Sequence, residues 1–192
     1  MPTLNDHLTW NQVGAIRTGP ATHVRDAFWG GTATREHLPA GMRLYKFSSF
    51  DRLNSNIYQD DRLRVSPWWS PTLPFKDDIG IDGKKHMAES LGVSLREWAR
   101  VTSVLNEAWS SIAWILYIQL KVPVYGFYGG FKSLPRRAAN PGRSMRYAAE
   151  AAGTTANLPG GGGSYQLYIP GLQMEHVTFV KAEFVRPKAA GN

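Results

Sequence analysis

The pattern of apolar and polar positions predicts several short strands along this chain. Residues 42–47 alternate between apolar and polar side chains, as in a strand with one buried face. Residues 112–120 and 122–127 are apolar runs rich in β-branched and aromatic side chains, which indicates two strands or one bent strand. Further extended segments are expected over residues 63–70, 165–169 and 177–185.

The clearest helical signal begins at Ser94. Ser94 and Glu97 have the spacing of a capping box, in which the hydroxyl accepts from the Glu97 amide and the carboxylate reaches back. The apolar positions that follow recur at helical spacing, so we expect this helix to pack on the core. Those positions are Leu95, Trp98, Ala99, Thr102, Leu105 and Trp109.

The order of these elements predicts the fold class. One strand, a long loop, a helix and then several strands, without repeats or βαβ alternation, indicate an α+β fold with a largely antiparallel sheet. We expect residues 1–37 to be an N-terminal extension, with some local helix near residues 22–28. Residues 38–187 then form the domain, and residues 188–192 a disordered tail.

Composition narrows the chemistry that this chain can support. Its 192 residues, 43% of them hydrophobic, suit one domain with its own core. The absence of Cys excludes disulfides and thiolate metal sites, and the five His lack zinc-binding spacing, so no metal is expected. The segment with Asp77, Asp78 and Asp82 is expected to be a solvated acidic turn, with cation binding as the alternative.

Hydropathy also bears on location. The N-terminal residues contain no apolar run, so we expect no signal peptide. The longest apolar stretch, residues 112–120, is far shorter than the roughly 20 residues of a membrane helix. We therefore expect no membrane partner, and either a cytoplasmic protein or one delivered by a specialised secretion system.

The net charge of +7 is unevenly distributed. Between residues 108 and 149 the chain has basic residues and no acidic one, which suits an acidic protein, a nucleotide diphosphate or simply a solvated face. No zinc-finger or RNA-recognition signature accompanies them, so nucleic-acid binding is not favoured. The basic residues are Lys121, Lys132, Arg136, Arg137, Arg143 and Arg146.

Four consecutive glycines, residues 160–163, precede a predicted strand. They are neither a phosphate-binding loop nor a dinucleotide fingerprint, because no Gly-Lys-Ser/Thr follows and the strand comes after the glycines. They fit a flexible surface linker, or a loop that approaches or moves over a ligand. Gln166 and Tyr168 share one face of the strand, where the Gln amide can orient a ribose hydroxyl or a water.

Three segments together resemble the ADP-ribosyltransferase-like superfamily. Residues 38–47, Leu-Pro-Ala-Gly-Met-Arg-Leu-Tyr-Lys-Phe, are similar to its first strand, and residues 66–71, Ser-Pro-Trp-Trp-Ser-Pro, to its second, serine-bearing motif. Residues 163–170, Gly-Ser-Tyr-Gln-Leu-Tyr-Ile-Pro, resemble the late segment of NAD-glycohydrolase toxins of the tuberculosis necrotizing toxin type. The segments follow the family's order across residues 38–185.

The resemblance implies a split, strongly bent sheet that holds NAD(P) as substrate and cleaves its nicotinamide–ribose bond. Gln166 stands where the family's transferases have a Glu, and Ser70 would support the catalytic side chain. Lys46 matches the family's first-strand Arg, with Arg43 as the alternative, although the two face opposite sides of a regular strand. The NAD-contacting positions implied are Tyr45, Phe47, Ser66, Trp69, Gly163 and Tyr168.

The chain departs from the transferase pattern near Gln166. It lacks a Glu-x-Glu there, and Glu175 lies nine residues further on, which favours hydrolysis over ADP-ribosyl transfer. The resemblance thus implies a secreted toxin or effector with a cognate immunity protein. The alternatives are an ADP-ribosyltransferase acting on a protein or nucleic acid, and a non-catalytic basic binding module.

Overall fold

The computed structural model describes residues 3–53, 64–107, 109–136 and 157–186. Within these ranges, seven strands form one antiparallel sheet in the order β1-β5-β8-β3-β2-β4-β9, and a small ladder pairs β6 with β7. The strands are β1 Thr34–Leu38, β2 Arg43–Ser48, β3 Trp68–Pro71, β4 Trp114–Leu120, β5 Val124–Gly130, β6 Leu134–Pro135, β7 Asn157–Leu158, β8 Tyr165–Tyr168 and β9 Val177–Phe184. The helices are α1 Trp10–Gly14, α2 Gly80–Ser90 and α3 Leu95–Thr102, with 3₁₀ turns at Val24–Ala27, Trp29–Gly31 and Met174–His176. The predicted α+β class and antiparallel sheet are confirmed.

The short strand β3 joins the two sides of the sheet. Its first half pairs with β8, through Trp68 opposite Tyr168 and Trp69 opposite Leu167. Its second half pairs with β2, where Ser70 lies opposite Tyr45. Because β8 and β2 pair with different halves of β3, the backbone hydrogen bonding is incomplete on each side of β3. On the β8 side, the Ser70 hydroxyl bonds the Tyr165 carbonyl across the interruption.

The two faces of the sheet are covered differently. One face carries a continuous apolar cluster that includes Leu44, Trp69 and Leu167. The other face has two separate covers: α2 and α3 pack over β2 and β4, and the N-terminal segment packs over β5 and β8. The central strands therefore lie between two covers on that second face.

The segment assigned by sequence to an N-terminal extension is built into this fold. Residues 34–37 form most of β1, which pairs with β5 along the sheet edge. The local helix expected near residues 22–28 is present as the 3₁₀ turn Val24–Ala27. Val24 and Phe28 are fully buried, so residues 3–31 supply core side chains to the sheet.

Helix predictions were partly right. Ser94 caps α3 by accepting from the Glu97 amide at 3.1 Å, as expected, but the Glu97 carboxylate binds Arg136 instead of reaching back. The helix ends at Thr102, and Trp109, expected on its apolar face, is 63% exposed. Helix α2 was missed because Lys84 occupies a fully buried position on it and interrupts the apolar stripe.

Lys84 forms a buried ion pair with Asp78, and both side chains are 0% exposed. The Lys84 ammonium donates to both Asp78 carboxylate oxygens at 2.7 and 2.9 Å, and to the Tyr45 hydroxyl at 2.8 Å. Asp78 also accepts from the backbone amides of Gly80 at 2.7 Å and Tyr165 at 2.8 Å. The expectation of a solvated acidic turn was therefore wrong for Asp78, whose ion pair with Lys84 joins α2, β2 and β8.

We predict that Lys84→Ala destabilises the protein by about 3–5 kcal/mol, because it leaves the Asp78 carboxylate buried without its cation. Lys85→Ala is the matched control. Lys85 pairs with Glu183 at 2.6 Å, but both side chains are about one-third exposed, so its loss should cost about 0–1 kcal/mol. Urea unfolding of both variants measures the difference. Equal, small effects would contradict a structural role for the buried pair.

Candidate functional site

The three segments that carry the family resemblance lie on adjacent strands, β8, β3 and β2. Directly paired residues of an antiparallel sheet share a face, and neighbours along a strand alternate. Ser70 therefore shares a face with its partner Tyr45, and Trp68 shares that face with its partner Tyr168. Gln166 follows by alternation from Tyr168. The register thus brings Gln166 and Ser70 to the same face.

This face forms what we call the central strip, made of Phe47, Trp68, Ser70, Gln166 and Tyr168. Its Phe47 belongs to the apolar cluster beneath α2 and α3, and its Tyr168 belongs to the cluster beneath the N-terminal segment. Four side chains of the strip are between 5% and 8% exposed, namely Phe47, Ser70, Gln166 and Tyr168. The centres of the Trp68 and Tyr168 rings lie 4.6 Å apart. The strip therefore offers flat apolar faces beside a hydroxyl and an amide.

The polar groups of the strip are held by backbone carbonyls. Ser70 donates its hydroxyl to the Tyr165 carbonyl at 2.7 Å, across an interruption beside β3. The Gln166 amide nitrogen donates to the Ala27 carbonyl at 2.7 Å. No described residue contributes a hydrogen bond to the Gln166 side-chain oxygen. That oxygen is an acceptor available to a ligand hydroxyl.

The two candidate cations of β2 lie on different faces. Lys46 is partly buried on the face opposite Gln166, with its ammonium 5.8 Å from the centre of the Trp69 ring. Burial lowers the pKa of Lys46 to about 8, because the ammonium loses water without gaining an anionic partner in the described parts of the chain. Arg43 is exposed and shares the face of Tyr45 and Ser70. The register favours Arg43 over Lys46 for a ligand that contacts Gln166.

Several residues implied as NAD contacts are buried or hydrogen-bonded within the fold. Trp69 is 2% exposed, lies on the face opposite Gln166 and donates its indole N–H to the Ser66 carbonyl at 2.6 Å. The Ser66 hydroxyl accepts from the Trp68 amide. Tyr45 is 1% exposed beneath α2, where its hydroxyl accepts from Lys84. Of the six implied contacts, Phe47 and Tyr168 lie on the central strip.

The glycine run is a packed turn. Gly160 to Gly163 all have positive φ, between 59° and 97°, which L side chains rarely adopt. A Cβ on Gly163 would lie 2.7 Å from Ile79 Cγ2, and the Gly163 carbonyl accepts from the Ile79 amide at 3.1 Å. The next residue, Ser164, is 1% exposed and bonds Thr102 of α3 at 3.2 Å. The glycines therefore connect β8 to α2 and α3. The flexible-linker and moving-loop interpretations stay predictions.

We predict that Gly163→Ala destabilises the protein more than Gly161→Ala does. Both positions have positive φ, which costs an alanine roughly 1–2 kcal/mol, but the added methyl at residue 161 meets nothing within 4 Å. At residue 163 the collision with Ile79 adds about 1–3 kcal/mol. Urea midpoints of the two variants give the comparison. Equal losses would show that Gly163 is not closely packed.

The described ranges also bear on metal binding, membrane insertion and the basic stretch. No group of three or more His, Asp or Glu there is placed to hold a metal ion, and no helix in them is long and apolar enough to cross a membrane. Arg136, part of the basic stretch, forms ion pairs with Glu97 and with Glu107 at 2.8 Å. Its charge is therefore already matched. Arg137, Arg143 and Arg146 lie outside the described residues.

Comparison with known proteins found no matching family model, curated protein or solved structure. Sequence reasoning missed Ala27, whose contribution is a backbone carbonyl that no side-chain pattern reveals. It also missed Gly129, which lies directly opposite Gln166 on β5.

Proposed function

We propose that this domain binds NAD(P) over the central strip and hydrolyses its nicotinamide–ribose bond. The supporting observation is the adjacency of β8, β3 and β2, which gathers three resembling segments from distant parts of the chain. It puts Gln166 and Ser70 on one face, beside aromatic rings that suit a flat nicotinamide. The proposed fold is correspondingly of the ADP-ribosyltransferase-like type.

The chemistry follows from what a neutral amide can do. Breaking the nicotinamide–ribose bond develops positive charge on the ribose, and a site accelerates this step by holding dipoles toward that charge. The Gln166 oxygen would accept a hydrogen bond from a ribose hydroxyl and direct its dipole to the ring. Water then adds to the ribose carbon, giving free nicotinamide, ADP-ribose and a proton.

Hydrolysis fits the described residues better than transfer to a macromolecule. Transfer by this family uses a late Glu, and the described part of the central strip contains no carboxylate. Glu175, the nearest later candidate, lies on the 3₁₀ turn after β8 with its side chain 72% exposed. ADP-ribosyl transfer and non-catalytic binding are the alternative functions, and each predicts a different experimental result. A cognate immunity protein and delivery by a secretion system stay predictions.

We predict that the purified chain releases nicotinamide from NAD or NADP, and that Gln166→Ala lowers the rate about 100-fold or more while the protein stays folded. Gln119→Ala, which removes a partly exposed amide from β4, is the matched control and should keep the wild-type rate. Chromatographic detection of nicotinamide measures the reaction, and circular dichroism checks the fold.

The products separate the alternatives. Free ADP-ribose equal to the nicotinamide released supports hydrolysis, whereas label from NAD on a protein or nucleic acid identifies a transferase. A folded wild-type chain that releases no nicotinamide contradicts the enzymatic proposal. Salt-sensitive binding of an acidic protein without NAD turnover then favours the basic binding module.

We predict that Arg43→Ala raises the KM for NAD roughly tenfold or more, whereas Lys46→Ala leaves it within about twofold, because only Arg43 shares the face of Gln166. The pH profile provides an independent test. A guanidinium keeps its charge throughout this range, so the wild-type KM should stay constant from pH 7 to 9.

Lys46 gives the opposite profile if it holds the phosphates. Since its pKa is lowered to about 8, its charged fraction falls as pH rises through 8, and KM would then rise about tenfold per pH unit above that value. A KM that rises above pH 8 and becomes constant in Lys46→Arg would contradict the assignment to Arg43.

A further inference from the structure

The Ala27 carbonyl makes two hydrogen bonds that fix its position. It accepts from the Gln166 side-chain amide at 2.7 Å and from the Lys132 backbone amide at 3.0 Å. A carbonyl oxygen has two lone pairs, so both are used. Reversing the Gln166 amide would place its oxygen 2.7 Å from another oxygen, which is repulsive. The Ala27 carbonyl therefore selects one orientation of the Gln166 amide.

Phe28 holds this carbonyl in place. It is 0% exposed, bridges to Phe131 just after β5, and contacts Trp68 of the central strip with ring centres 5.8 Å apart. Trp10 of α1 packs edge-on against it at 5.1 Å. The 3₁₀ turn Val24–Ala27 is thus attached to the core by Val24 and by the adjacent Phe28.

The position of Phe28 depends on a glycine in β5, which has no side chain to occupy the space of the Phe28 ring. Gly129 is the register partner of Gln166, and a Cβ there would lie 2.8 Å from Phe28 Cδ1 and 2.9 Å from the Thr32 carbonyl oxygen. Both distances are shorter than real Cβ contacts. Only a glycine opposite Gln166 leaves room for Phe28, and Phe28 in turn sets Ala27.

We infer that residues 24–28 are a positioning element for Gln166: their Ala27 carbonyl binds the amide nitrogen and turns the amide oxygen to the central strip. Gln166 then meets a ligand as a hydrogen-bond acceptor and not as a donor. The consequence for catalysis rests on the proposed NAD hydrolysis, whereas the orientation itself does not. The N-terminal segment is accordingly part of the site.

The test compares Gly129→Ala with Gly130→Ala. At Gly130 the nearest atoms to an added methyl are 3.7 Å away, an ordinary contact, so this neighbour is the matched control. The first readout is hydrogen exchange of the Gln166 side-chain amide, measured by ¹⁵N NMR. The signal of this amide is identified because it is absent from the spectrum of Gln166→Leu. We expect slow exchange in the wild type and in Gly130→Ala, and exchange about tenfold faster in folded Gly129→Ala.

Turnover supplies the second readout. Gly129→Ala should lower kcat for nicotinamide release about tenfold with KM within about twofold, since binding surfaces on the strip are retained while the amide is misoriented. Gly130→Ala should behave as the wild type. A structural defect alone would lower the amount of active enzyme in parallel with the folded fraction, which circular dichroism measures.

Gln166→Glu keeps the test decisive if Gly129→Ala does not fold. A carboxyl group at this position would face the Ala27 carbonyl, and only a protonated carboxyl group can donate to a carbonyl. We therefore expect ¹³C NMR to show the new carboxyl group of Gln166→Glu titrating well above the ordinary Glu range. An ordinary titration, or rapid exchange of the wild-type amide, overturns the inference even if NAD is hydrolysed. A protected amide without any NAD turnover supports the positioning and overturns the proposed function alone.

Discussion

The buried ion pair between Asp78 and Lys84 is the interaction on which the centre of the fold depends. Burial disfavours both charges, and it lowers the pKa of Lys84 although Asp78 opposes the shift. The pair persists because the Lys84 ammonium and the backbone amides of Gly80 and Tyr165 all donate to the Asp78 carboxylate. Removing either partner leaves the other charge in a dry interior. The start of α2 and the start of β8 are consequently fixed relative to each other.

Successive residues of β8 are then fixed by different parts of the chain. Ser164 bonds α3, the Tyr165 amide bonds Asp78, and the Tyr165 carbonyl accepts from Ser70. Gln166 follows directly and bonds the Ala27 carbonyl. The glycines just before β8 allow this convergence, because their positive φ values and absent side chains let the turn pack against Ile79 and Thr102. A side-chain amide held in this way needs no rearrangement to meet a ligand.

The sequence predicted those features that depend on local pattern. Strands such as β2 and β9 were evident from their apolar residues, although burial alternates along neither strand, and the cap of α3 was evident because Ser94 and Glu97 lie at fixed spacing. Helix α2 was not, because its stripe contains a buried Lys84 whose partner is identified only by the fold. The approach of Ala27 to Gln166 joins residues 139 apart through a backbone atom, which leaves no trace in side-chain pattern.

The Ala27 carbonyl also gives a physical reason for Gln rather than Glu at residue 166. The two side chains have nearly the same shape, but a carboxylate only accepts, whereas an amide can donate to a carbonyl and still present an acceptor on its other side. A carboxylate 2.7 Å from this carbonyl would lose a hydrogen bond and gain repulsion in a site of about 5% exposure. The N-terminal segment therefore restricts residue 166 to a neutral group. Under the proposed hydrolysis, the neutral Gln166 would accept a hydrogen bond from the ribose hydroxyl, and the segment expected to be an extension would take part in the chemistry of the strip.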